Sequence, residues 1–328
     1  MYHETKTILV TGGAGYIGSH TCKALAQAGY TPVVYDSLCR GNPWAVKWGP
    51  LEIGDLMDGE RLRDVLRAHR PVGVIHFAAF AYIAESMSDP LFYYRNNVGG
   101  TMSLLRAMAA EGVKQLVFSS TCATYGTPAS NPIREDMPQN PINPYGQSKL
   151  MVEQVLRDCT RSGGLKAVAL RYFNAAGADA DCEIGEAHDP ETHLIPLALG
   201  AAKGTAPALT VFGDDHDTPD GTCIRDYIHV ADLADAHVRA LGHTGGNDGF
   251  AAFNLGTGTG VSIKNLITAV EEVTGCRVPF SYGPRRDGDP AALVADPTCA
   301  SEALGWKATQ SDLQTILRNA WAWMERKA

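Results

Sequence analysis

Short apolar runs rich in β-branched residues recur along the first half of the chain at Thr7–Val10, Val33–Tyr35, Leu51–Ile53, Val72–Phe77, Leu116–Ser119 and Ala167–Leu170. Each has the length and composition of a buried strand. Between them, segments near 16–28, 60–69, 97–111 and 145–161 carry apolar residues three and four positions apart. That spacing puts one apolar stripe on a helix, as expected of helices that cover a sheet. Strand and helix in regular alternation predict an α/β fold built on a doubly wound parallel sheet of the Rossmann type.

The rhythm changes after Arg171. Ala178 to His193 holds six acidic residues and no Lys or Arg, and Gly and Pro punctuate the chain through Gly221. Helices are expected at 230–242, 262–274 and 311–326, separated by turn-rich segments. The pattern predicts a first domain over 1–172, with a return segment near 226–255, and a smaller mixed α/β domain over most of 173–328.

Composition narrows the function. A length of 328 residues supports a sizeable core, and a net charge of −8 disfavours association with nucleic acid or anionic lipid. The longest apolar run, Val74 to Ala84, is interrupted by His76 and reaches about half the ~20 residues of a membrane span. Eight cysteines lie scattered without a C-x-x-C pair, and the N-terminus shows no export signal. A cytoplasmic enzyme with reduced thiols and a small-molecule partner is the expectation.

Directly after the first strand comes Gly12-Gly13-Ala14-Gly15-Tyr16-Ile17-Gly18. Glycines in this place let backbone N–H groups approach a pyrophosphate at the start of the following helix. The second strand leads into Asp36, whose carboxylate can accept from both ribose hydroxyls of NAD and would repel the extra phosphate of NADP. Arg40, four residues on, is the one nearby group that pulls the other way.

Pro144-Tyr145-Gly146-Gln147-Ser148-Lys149 sets Tyr145 and Lys149 on one face of a helix. An ammonium beside a phenol, with a positive nicotinamide ring, favours phenolate and so a base. The fifth strand ends Ser119-Ser120-Thr121, which brings hydroxyls to the carboxyl edge of the sheet. Thr121 is then placed to bridge a substrate oxygen and Tyr145.

These residues resemble the extended short-chain dehydrogenase/reductases and, among them, the UDP-glucose 4-epimerases. The resemblance rests on Gly12–Gly18, Ile75–Ala79, Asn96–Val98, Ser119–Gly126, Tyr145–Lys149, Arg171–Asn174, Arg225–Val230, Asn254–Gly258 and Pro284–Asp289. It implies C4 epimerisation of a UDP-sugar by Thr121, Tyr145 and Lys149, with NAD as cofactor and a homodimer as the assembly. Implied cofactor contacts are Gly12, Gly15, Tyr16, Ile17, Gly18, Asp36, Asp55, Leu56, Phe77, Ala78, Ala79, Asn96, Ser119, Tyr145, Lys149 and Phe173. Implied substrate contacts are Thr121, Tyr145, Asn174, Leu194, Val211, Phe212, Arg225, Arg286 and Asp289. The first domain would bind NAD and the second would hold most of the UDP-sugar.

Three positions depart from the family's pattern. Ala81 stands where many members carry a lysine, which removes one cofactor contact. Thr121 replaces the commoner serine and keeps the hydroxyl. Leu293 occupies the position of a sugar-pocket gate and leaves room for an N-acetyl group, so glucose/galactose, N-acetylhexosamine and xylose/arabinose pairs all stay open.

Other readings fare less well. A 4,6-dehydratase needs an acid and a base beside Thr121, where this chain has Cys122 and Ala123. A simple dehydrogenase would use the same triad, and a non-catalytic NAD sensor would have no use for it. His188 and His193 lie among Glu186, Asp189 and Glu191, but the spacing matches no compact ligand motif, so a solvated loop without metal is expected. Trp306, Trp321 and Trp323 read as core or interface anchors, and the helix over 97–111, through Leu104, Leu105, Met108 and Ala109, as a candidate dimer contact.

Overall fold

The computed structural model describes residues 6–246, 249–286 and 289–326. Its first half supplies β1 (Thr7–Thr11), α1 (Tyr16–Gln27), β2 (Thr31–Asp36), β3 (Leu51–Ile53), α2 (Gly59–His69), β4 (Gly73–His76), α3 (Ile83–Ser88), α4 (Pro90–Tyr93), α5 (Gly100–Ala110), β5 (Gln115–Thr121), α6 (Pro144–Arg161) and β6 (Lys166–Tyr172). A π-helical stretch, Tyr94–Gly99, runs into α5, so the helix expected over 97–111 begins in a wider turn.

The second half supplies β7 (Asn174–Ala176), α7 (Leu194–Lys203), β8 (Leu209–Phe212), β9 (Ile224–Arg225), β10 (Tyr227–His229), α8 (Val230–Gly246), β11 (Phe250–Leu255), β12 (Val261–Ser262), α9 (Ile263–Thr274), β13 (Phe280–Gly283), β14 (Ala292–Leu293), α10 (Thr298–Leu304) and α11 (Leu313–Arg326). The main sheet runs β11-β6-β5-β4-β1-β2-β3. It is parallel throughout, with the late strand β11 set beside β6 so that Phe250 faces Ala167 and Leu255 faces Tyr172. The doubly wound sheet is therefore the observed fold class.

Alternation along β1 explains the two layers. Ile8 and Val10 join a core with Leu25 of α1, Leu233 of α8 and Leu304 of α10, whereas Leu9 joins one with Leu62 of α2, Leu104 of α5 and Leu156 of α6. A separate core lies between α7, α9 and α11, centred on Leu199, Leu266 and Leu317. Trp306 and Trp323 are buried, and Trp321 packs against the α7/α9/α11 core, so all three serve as core anchors.

Of the four residues expected to make a dimer contact from this helix, Leu104 and Met108 are 0% and 1% exposed and belong to the chain's own core, so neither can face a partner. Leu105 is half-buried and Ala109 exposed, and Met102 is exposed as well. Among the described residues no helix is long and apolar enough to cross a membrane.

Candidate active site

The strand order reverses between β4 and β1, and the glycine loop leaves β1 at that point. This switch point is where doubly wound sheets open a crevice at their carboxyl edge. Gly12 has φ +73°, and a Cβ there would lie 2.6 Å from the Ala78 nitrogen. A Cβ on Gly18 would lie 2.2 Å from the Gly12 carbonyl oxygen. Glycine is thus required at both positions for the loop to close on itself and on the end of β4. The loop ends at Gly15, which caps α1 without a side-chain hydrogen bond, and the first turn holds no acid. Uncapped N–H groups at a helix start suit a phosphate.

Asp36 closes the far side. Its carboxylate accepts from the backbone N–H of Ala14 (3.1 Å) and of Leu38 (2.9 Å), while burial raises its pKa. Arg40 does not approach it: the guanidinium pairs with Glu85 at 2.5 Å and stacks over the rings of Phe80 and Tyr82. The loop, the uncapped helix and the acid together fit a dinucleotide with a free ribose diol. Leu56 is buried and Asp55 exposed beyond the end of β3. Phe77 and Ala78 continue from β4, both donating to the Thr11 carbonyl. Asn96 lies half-buried in the π-helical turn, beside Asn97.

Thr121 ends β5, and Tyr145 and Lys149 lie in the first two turns of α6. The helix begins there because Asn143 caps it, its side chain accepting from Gly146 N–H at 2.8 Å, with Pro144 at the first helical position. The Thr121 hydroxyl accepts from the Ala123 N–H at 3.2 Å, and its side chain is near enough to Tyr145 to favour the ionised phenol. Lys149 Nζ donates to the Ser119 carbonyl at 2.7 Å and sits 6.0 Å from the centre of the Tyr145 ring. The Ser119 hydroxyl is 2.6 Å from that of Tyr172.

Burial dominates the electrostatics of this pair. Burial, with Tyr172 next in effect, pushes the Tyr145 phenol well above its usual value, and the Thr121 side chain opposes it. Burial also lowers Lys149 to about 7, against the pull of Glu153. In the chain alone, desolvation therefore outweighs the stabilisation of phenolate expected from Lys149.

The remaining residues gather on the other side of the crevice. Asn174 donates through its side chain to the Asp226 carbonyl at 3.0 Å. Arg225 and Asp289 form a close ion pair with each other, and the Arg286 guanidinium stacks 4.0 Å above the Phe212 ring. Val211 turns its side chain into the core beneath α7, where Leu194 also packs in part. Leu293 packs in part against the cluster of Cys122, Tyr125, Ile133, Phe173 and Ala295, and Cys122 directly follows Thr121. Ala81 is exposed; Asp287 and Gly288 lie outside the described residues.

Several supporting residues escaped the sequence reading. Asn97 is buried, donating to the Phe80 carbonyl and to Ser148 while accepting from the Phe80 N–H, which fixes the chain past Ala79 against α6. Glu153 and Arg171 form a bidentate ion pair under Ser120. Asp226 is fully buried and accepts from Thr257, Gly258 and Ala295, tying three segments together behind Arg225. Asn97, Arg171 and Asp226 stood inside quoted motifs, but only folding separates framework from ligand.

Residues 8–256 match the model of the NAD dependent epimerase/dehydratase family. A UDP-glucose 4-epimerase of Rhizobium leguminosarum bv. trifolii is 54% identical over 318 residues, 97% of both chains. The chain belongs to this family, among its UDP-glucose 4-epimerases. Solved relatives of the epimerase family agree along the whole length. The UDP-glucose 4-epimerase of Brucella ovis, in complex with NAD, superposes with a TM-score of 0.95 at 55% identity, covering 97% of this chain and 98% of that one. The UDP-glucose-4-epimerase of Stenotrophomonas maltophila, with bound NAD and formylated UDP-arabinopyranose, gives a TM-score of 0.95 at 43% identity over 98% of this chain and all of the other.

Proposed function

We propose that this enzyme is an isomerase that interconverts UDP-sugars differing at C4, UDP-glucose and UDP-galactose first among them, with NAD as cofactor. The observation that carries the proposal is the convergence of Thr121, at the carboxyl end of β5, with Tyr145 and Lys149 of α6, the Lys149 ammonium lying 6.0 Å from the Tyr145 ring and fixed to the Ser119 carbonyl, in the same sheet whose β1 leads into the glycine loop. Gly12, Gly15, Tyr16, Ile17, Gly18 and Asp36 would hold the cofactor, helped by Asp55, Leu56, Phe77, Ala78, Ala79, Asn96, Ser119 and Phe173. Bound there, NAD supplies the acceptor for the hydride leaving C4 and the donor that returns it, and its oxidised ring adds the positive charge that lets the buried phenol ionise.

Tyr145 takes the proton of the 4-hydroxyl as C4 becomes a ketone, and Thr121 holds that oxygen in line. Arg225 and Asn174 grip the diphosphate while Arg286, stacked on Phe212, closes over it. Leu194, Val211 and Phe212 border the uracil and Asp289 the ribose. Val211 can contribute only main chain, since its side chain is buried in the core. The 4-keto sugar, held at the nucleotide and little elsewhere, turns over before Tyr145 returns the proton. A dehydratase is disfavoured: burial pushes the Cys122 thiol up to about 12, which leaves it no base at neutral pH.

Residues 1–172 with the return segment 226–255 would carry NAD, and most of 173–328 the sugar nucleotide. A homodimer fits the exposed apolar residues Met87, Leu91, Phe92, Met102 and Met151. The test is incubation with UDP-galactose and no added NAD, followed by product analysis, then the same with UDP-N-acetylglucosamine and UDP-xylose. Appearance of UDP-glucose is expected. Turnover of the pentose pair alone would move the substrate assignment, and tight NAD binding without any conversion would favour a sensor.

A further inference from the structure

The segment from Glu186 to His193 lies outside the catalytic residues yet brings four ligand-type side chains together. One donor atom from each of Glu186, His188, Glu191 and His193 falls within 4.8 Å of all the others. Both imidazoles turn Nδ1 inward: His188 lies 3.1 Å from Glu186 and 3.7 Å from Glu191, and His193 lies 2.9 Å from each. Zinc bonds to nitrogen and oxygen of ~2.0–2.1 Å in a tetrahedron require ligand-to-ligand edges of about 3.3 Å. The four nitrogen–oxygen separations are of that order, with Glu186 turning one oxygen to both rings and Glu191 turning Oε2 to His188 and Oε1 to His193. We propose that Glu186, His188, Glu191 and His193 form a structural site for one tetrahedral divalent cation of the zinc class.

Sequence spacing hid this arrangement, because the ligands alternate with Pro190 and short turns and fit no helical i, i+4 pair. A divalent cation would take the place of the imidazole protons and balance the two carboxylates, and a shell of two nitrogens and two oxygens suits zinc better than calcium or magnesium. The outer shell is also built. The Tyr16 and Tyr82 rings meet the His188 ring edge-on at 6.1 and 6.3 Å, and Trp323 donates to the Glu186 carbonyl at 2.9 Å. Glu186 is 8% exposed and His193 46%, so the cluster is closed on one side and has an entry on the other.

The position gives the site a role. Tyr16 opens α1 at the glycine loop, and His193 immediately precedes Leu194 of α7. Pro190 accepts from Tyr82 and Ala187 from Asn42. An ion here would fasten one loop against the phosphate-binding turn and the start of the helix that borders the sugar nucleotide. The neighbouring trio Asp179, Asp181 and Glu183 has no such function, because Lys23 already reaches all three.

The test uses the full chain, stripped with chelator and titrated with zinc chloride or cobalt(II) chloride. Expected are one tight equivalent of metal per chain by elemental analysis, a rise in Tm, and the visible bands of four-coordinate cobalt without a thiolate charge-transfer band. The last point separates this site from the chain's free cysteines. His193→Gln should weaken metal affinity on the order of 100-fold, and Glu186→Gln should do the same, each with an unchanged far-UV spectrum before metal is added. Binding that survives His193→Gln and Glu186→Gln together, cobalt bound through thiolate, or no stoichiometric metal in the folded wild type would each overturn the proposal and leave the cluster as carboxylates paired with imidazolium.

Discussion

Replacing Arg171 by methionine tests the framework under the catalytic strand. The Glu153 and Arg171 side chains are 0% and 1% exposed. Arg171 gives Glu153 two charged hydrogen bonds, Nε at 2.9 Å and a terminal nitrogen at 2.6 Å. Each such bond contributes roughly 1.5–3 kcal/mol, and a buried carboxylate stripped of its partner costs about 3–5 kcal/mol. After the change Glu153 keeps Ser120 at 2.7 Å, Gln139 at 3.3 Å and the half-exposed Arg157 at 3.5 Å. These soften the loss without cancelling it, so about 3 kcal/mol is expected, a large share of the ~5–15 kcal/mol that folded domains possess. The assay is a urea midpoint at fixed NAD for wild type, Arg171→Met, Glu153→Met and the double variant. The double variant should recover most of the loss, since no charge is left stranded. A loss below about 1 kcal/mol in Arg171→Met, or a double variant as damaged as the sum of the singles, would refute the reasoning.

Tyr145→Phe keeps the ring and deletes the hydroxyl proposed as proton carrier: kcat should fall roughly 10²–10⁴-fold while extracted NAD content stays at the wild-type level. Gly18→Ala drives a methyl into the Gly12 carbonyl and should cost about 1–3 kcal/mol; NAD retained through gel filtration would fall sharply, and full retention would contradict the loop geometry. Burial lowers Lys149 from 10.5 to about 7, so between those values the unfolded chain holds a proton that the folded chain does not, and stability gains with rising pH. In cofactor-free protein, the difference between wild type and Lys149→Met should change by about 1.4 kcal/mol per pH unit from pH 7.5 to 9.5; parallel pH profiles would exclude that shift. Leu293→Tyr should suppress turnover of UDP-N-acetylhexosamines more than tenfold while sparing the hexoses, read from the two kcat/KM values.

The legible part of the fold was the part with strong periodicity. β1 to β6 stand out because both faces of the sheet are covered, which makes each an unbroken apolar run. α7 was missed because Leu194 to Lys203 is apolar nearly all round and carries Pro196 and Gly200, so it shows no helical stripe. Strands such as β9 and β12 escaped because they are two residues long and acquire their identity only by pairing, Arg225 with Val261. At the site, the glycine loop and the Tyr145–Lys149 spacing are local and could be read directly. Asn97, Glu153 and Asp226 act through partners far away in sequence, and the convergence of Glu186 to His193 depends on turns that no spacing rule encodes. The burial that raises the Tyr145 phenol in the chain alone is likewise a property of the whole fold.

The place of β11 at the sheet's edge bears on how the chain is made. When Tyr172 has left the ribosome, the six earlier strands are available but β6 has an open flank, an apolar edge able to pair with any other extended chain. Its partner, Phe250–Leu255, follows only after the stretch through α8, on the order of ten seconds later at ordinary synthesis rates. Through that interval β6 keeps one row of ladder groups unpaired, the kind of open apolar edge that folded sheets avoid.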